Sequence, residues 1–202
     1  MFKMATTIAV AVTLSAGAAW AQAPAAPMVV RGVVTAMDAG SVTVKPAKGA
    51  PTKVGLAPSW NVAVMKPVAP EAIQAGSFIG TAEMPQKDGT GKSLEVHVFP
   101  PGVKMGEGHY GWDLKKGSMM TNGTVGTVVA GKKGSRQLEV NYSYGKRTIT
   151  VPANVPIVQI TGGARTMVKV GTPVFMVVQK AANGQLMAGS VSVGENGAPP
   201  PM

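Results

Sequence analysis

The chain has 202 residues, 19 basic against 9 acidic side chains, two histidines and no cysteine. The absence of cysteine excludes disulfides, thiolate metal sites and cysteine nucleophiles. A net charge of +10 favours anionic partners. The basic residues (among them Lys45, Lys48, Lys53, Lys66, Lys132, Lys133, Lys146 and Arg147) are scattered, without the dense run of a nucleic-acid binder.

Residues 1–21 read as a secretory signal peptide. Lys3 is the positive start, Ile8 to Ala19 is apolar and small, and Ala19-Trp20-Ala21 fits an A-x-A cleavage site. The apolar run is short for a bilayer span of roughly 20 residues. Cleavage after Ala21 removes Lys3 and leaves 18 basic against 9 acidic residues, or +9. Residues 22–28 form a linker. No later stretch is apolar for long enough to span a membrane, so the expectation is a periplasmic protein with no transmembrane segment in the mature chain and no nucleic-acid partner.

From residue 29 the chain is written in strand grammar, and it repeats. "LAPSWNVAV" from Leu56 parallels "TVPANVPIV" from Thr150, with Pro58 against Pro152 at an offset of 94. "AGSFIGTAEM" from Ala75 parallels "VGTPVFMVVQ" from Val170, and Val96-His-Val98 falls on Val191-Ser-Val193, both at an offset of 95. Period-two alternation (Val42-Thr-Val44, Thr148-Ile-Thr150) and turn pairs (Asp88-Gly89, Asn183-Gly184) mark strands and hairpins. The fold class expected is all-β, two tandem small OB-like β-barrels at 29–99 and 123–195. A Gly/Pro-rich connector at 100–122 joins them, and a Pro-rich tail at 196–202 follows.

The motifs Gly32-Val33, Val42-Thr-Val44, Pro58 and Gly76-Ser-Phe-Ile79, matched by Gly126-Thr-Val128, Leu138-Glu-Val140, Pro152 and Gly171-Thr-Pro-Val174, resemble OB-like β-modules of bacterial exported proteins. The longer string "EVHVFP…GEGHYGWD…MTNGTV" resembles one set of proteobacterial exported proteins, some labelled metal-transport permeases. The resemblance implies the fold and export; the permease label does not suit a chain without a membrane-spanning bundle.

Function concentrates in the connector, "MGEGHYGWDLKKGSMM", which has no counterpart after the second repeat. Its Gly106-x-Gly108-x-x-Gly111 spells a dinucleotide fingerprint, but Pro100-Pro101 precede it where a strand is required and no helix pattern follows. His109, His97 and Met105, with Glu107 and Asp113, form a candidate transition-metal set; Met119 and Met120 would add thioethers, which suit copper. Alternation on "SLEVHVF" puts Glu95 and His97 on one strand face, opposite Ser190 and Ser192 in the repeat, and reads as solvated. The metal reading requires the connector to bring His109 to His97. Tyr142, Tyr144, Trp60 and Arg147 suggest an aromatic-basic face of the kind OB-folds use to stack ligands. No catalytic motif stands out, so the chain reads as non-enzymatic. The favoured reading of the connector is a clasp with Tyr110, Trp112 and Leu114 as apolar pegs, Trp112 and Tyr110 being the interaction residues. The function expected is a binding or adaptor protein without a cofactor, its partner an envelope protein or an anionic envelope surface. The rival is a periplasmic metal handler carrying copper or another transition metal.

Overall fold

The computed structural model describes residues 26–202. The signal-peptide reading and most of the 22–28 linker lie outside the described residues. The fold is all-β, with 13 strands in one sheet that closes on itself. The first repeat supplies β1 (Met28–Met37), β2 (Ser41–Lys45), β3 (Thr52–Pro67), β4 (Phe78–Pro85), β5 (Gly91–Ser93) and β6 (Val96–Val98). The connector forms β7 (Gly108–Gly111). The second repeat supplies β8 (Met119–Ala130), β9 (Arg136–Tyr142), β10 (Gly145–Val151), β11 (Ile157–Gly163), β12 (Pro173–Lys180) and β13 (Leu186–Gly194). Among the described residues no helix is long and apolar enough to cross a membrane.

A five-stranded barrel closes in the order β1-β2-β3-β13-β12, with β12 returning to β1. A second circuit of pairings runs β8-β9-β10-β5-β4, with β4 returning to β8. Each circuit takes three strands from one repeat and two from the other. The expectation of one barrel closed within each repeat gives way to this exchange.

The length of β3 supplies a reason. Its 16 residues extend over roughly 50 Å. That carries the chain from its hairpin with β2 to a ladder with β11, where Val64 faces Thr161 and Pro67 faces Val158. Adding 94 to Val64 and Pro67 gives Val158 and Thr161, so the ladder is its own image under the repeat. The two halves therefore meet around a local two-fold, and each hands its last strands to the other. Gly32 and Gly123 stand at matching rungs, opposite Val174 and Ile79. A Cβ at either would lie 2.2 Å from Lys45 O or 2.3 Å from Asn141 O, so a strand crosses too closely for any side chain there.

The first barrel packs a core of Val34, Val42, Val54, Trp60, Val174 and Val191. The second circuit packs Ile79, Val96, Leu138, Val140, Ile149 and Val151. Because each circuit draws strands from both halves, the two cores are expected to unfold together. Leu138→Ala in the second core is expected to cost about 3 kcal/mol and to move one calorimetric unfolding peak. Two peaks, of which one shifts, would refute the interlock.

Candidate functional site

Rungs of the ladder across β6, β4, β8 and β7 position the chemistry. One rung runs His97–Gly80–Asn122–Gly108, and the next runs Thr81–Thr121–His109. Residues on one rung share a sheet face, and the next rung points to the other. His97 and His109 therefore lie on opposite faces.

The face bearing His97 is buried, not solvated. Glu95 is 0% exposed and His97 3%. Glu95 Oε1 accepts the Ala82 N–H at 2.7 Å, and its Oε2 lies 3.1 Å from His97 Nδ1. His97 Nε2 and Asn122 Oδ1 converge above Gly80, where a Cβ would stand 2.0 Å from the first and 2.2 Å from the second. Asn122 Nδ2 donates to Gly106 O and to Tyr110 Oη, both at 2.8 Å, and Tyr110 Oη donates to Gly106 O at 3.1 Å. Burial pushes the Tyr110 hydroxyl up to about 12, so it remains a donor. The connector thus covers this face. Strand alternation marks a side but not what lies over it, which is why the solvated reading fails.

The opposite face points into the second circuit and makes one end of its interior polar. Thr81 Oγ1 and Ser93 Oγ are 2.8 Å apart, and Glu83 is 0% exposed. Arg147 Nε donates to Glu83 Oε1 at 2.6 Å, while its other nitrogens donate to Gly89 O and Thr90 O. His109 Nδ1 lies 2.8 Å from Thr121 Oγ1 and 3.8 Å from Glu83 Oε1. The His109 ring stacks on Tyr142 at 6.3 Å, and Tyr142 meets Tyr144 edge-on at 4.9 Å. The first barrel has Met176, Val178 and Ala188 where an offset of 95 puts Thr81, Glu83 and Ser93. Its ladder sets Thr52 opposite Val44, where the second circuit sets Arg147 opposite Val140. Among the described residues only the second circuit carries this polar end.

The connector also reaches the first barrel. Asp113 accepts from both Arg31 terminal nitrogens, at 2.8 and 2.9 Å, and Arg31 Nε donates to Met202 O. Trp112 packs against Phe175 of β12, its ring centroid 6.1 Å away, and against Tyr110 at 6.5 Å. Trp112 and Leu114 also lie against the cluster of Ala82, Tyr110 and Met120. Two open clefts, of about 610 and 440 Å3, lie away from the polar end.

The candidate metal residues are not brought together. His97 and His109 face opposite ways, Met105 is 60% exposed, Glu107 is exposed, and Asp113 is held by Arg31. Among the described residues no group of three or more His, Cys, Asp and Glu side chains is placed to hold a metal ion. Of the aromatic-basic set, Tyr142, Tyr144 and Arg147 gather beside His109. Trp60 instead belongs to the first core, under Arg165. Glu83, Glu95 and Asn122 are the residues sequence reasoning passed over as site members. Glu83 had a usable signal, since an acid stands where the repeat has Val178.

Compared with known protein families, curated proteins and solved structures, the chain matches none.

Burial, and then the charge of Arg147, lower the His109 imidazole below its ordinary 6.5. The unfolded chain therefore binds more protons just below 6.5, and this contribution to stability is lost as pH falls through that window. Burial raises Glu83 above 4.5 despite Arg147, so its contribution falls as pH rises from 4.5 through the raised value. His109→Gln is expected to flatten the loss of stability between roughly pH 7 and pH 5 in urea unfolding; an unchanged slope would count against the assignment. For the clasp, Trp112→Ala is expected to cost about 2 kcal/mol. Asp113→Asn should cost under about 1 kcal/mol, because the Arg31 and Asp113 side chains are 31% and 58% exposed. Equal losses in thermal melts would refute that order.

Proposed function

We propose that the chain is an exported, non-enzymatic binding or adaptor protein of the cell envelope. Its two strand circuits act as OB-like modules, and its connector makes the contact with a partner. One asymmetry supports this reading above the rest. The connector strand β7 joins the second circuit alone; it carries His109 and Tyr110, and Tyr142 and Tyr144 stand against it. A duplicated frame with one elaborated copy suits a rigid scaffold that presents a single recognition element. The buried polar groups pair chiefly with one another, so they hold the connector in place. The partner is an envelope protein, with the +9 charge of the chain cleaved after Ala21 adding attraction to anionic envelope surfaces.

The test is carried out in cells. A periplasmic extract should yield protein beginning at Gln22. A photo-crosslinking side chain at Glu107 should capture a discrete envelope partner, whereas one at Lys48 on the first barrel should not. Retention in the cytoplasm, or no adduct from Glu107, would sink the reading.

A further inference from the structure

We propose that the free side of β7 is a docking edge that takes an extended, acidic peptide segment of a partner as an added strand. The inference rests on the binding reading above and names its contact surface. Among the described residues β7 is the one strand with a neighbour on a single side, β8. Backbone groups alternate along an antiparallel strand. Gly108 and Tyr110 turn theirs toward β8; His109 and Gly111 turn theirs away.

At His109 both outward groups are taken by one side chain. The His109 N–H donates to Tyr144 Oη at 2.6 Å, and that hydroxyl donates to His109 O at 3.1 Å. These are the two bonds that a residue of an added antiparallel strand would exchange with His109. Tyr144 sits in the turn between β9 and β10, on a side chain that can rotate away without unpairing any strand. It is a placeholder for a strand and protects the edge until one arrives. Gly111 is exposed and has no side chain, so the approach beside it is open.

Charge selects the occupant. Lys104, Lys115 and Lys116 flank β7, are exposed, and enter no ion pair among the described residues. Nearby acids are Glu107, which is exposed, Asp113, held by Arg31, and Glu83, buried against Arg147. An acidic strand is attracted to this edge, whereas a second copy of the +9 mature chain is repelled. Main-chain bonds would supply affinity and the lysines would supply preference.

The test uses the whole mature protein, isotope-labelled for NMR, and a blocked octapeptide alternating valine with glutamate. Saturable binding is expected, with shifts centred on the His109 and Gly111 amides and slower exchange at Gly111. Tyr144→Phe, which removes the placeholder hydroxyl, should tighten binding about fivefold. Charge reversal by Lys115→Glu with Lys116→Glu, which leaves the backbone intact, should weaken it about tenfold. The same peptide with lysine in place of glutamate should bind as weakly as that variant. No shift on β7 at millimolar peptide, shifts centred elsewhere, or affinity indifferent to both changes would overturn the proposal. A partner captured in cells without peptide binding at β7 would overturn this inference alone and leave the adaptor reading intact.

Discussion

The antiparallel ladder between β3 and β11 organises the molecule. It is the place where a repeat meets its own copy, and its register is symmetric under the offset that relates them. β3, of 16 residues, and β11, of seven, are paired here across the two halves rather than within separate small barrels. Each carries its chain across the dyad, so the strands that follow complete the other half's circuit. Interlocking follows from strand length and pairing, without any disulfide, in a chain that has no cysteine.

On this frame a one-residue alternation separates two kinds of chemistry. The rung holding His97 and Asn122 faces the covering connector, and the rung holding Thr121 and His109 faces the interior of the second circuit. The first comprises the Glu95–His97 pair and, beside it, Asn122 donating to Gly106 and Tyr110, with Asn122 Oδ1 buried and unpartnered among the described residues. The second is a polar end anchored by the Glu83–Arg147 pair. Both fasten the connector, one from beneath and one through the Tyr144 bonds to His109. The Arg31–Asp113 pair and the Trp112–Phe175 contact fasten it to the first barrel. A short segment held at three places is rigid enough to present an edge.

Much of the frame was legible from residues. The all-β class followed from alternation and turn pairs, and near-constant offsets related Pro58 to Pro152 and Gly76 to Gly171. The exchange of strands was not legible, because a strand pattern is the same whichever neighbour completes it. For the site, clustering near the connector was readable, and Tyr142, Tyr144 and Arg147 were readable as a group. Trp60 was misplaced with them, because its aromatic character is equally suited to a core. His97 and His109 looked like partners because sequence distance carries no face. Glu95 looked exposed because alternation says nothing of a covering loop.

Composition and local pattern alone determined what depends on single residues and their near neighbours: no cysteine chemistry, strands with tight turns, strings that match at a near-constant offset, and a glycine-rich stretch of unusual residues. Tertiary structure decided what depends on pairs distant in sequence. It decided which half completes which circuit, that the two histidines point apart, and that a tyrosine 35 positions along caps the open edge at His109. The physical reason is common to all three. Strand partners and sheet faces are set by hydrogen-bond register between distant segments, and no local property of either segment encodes that register by itself.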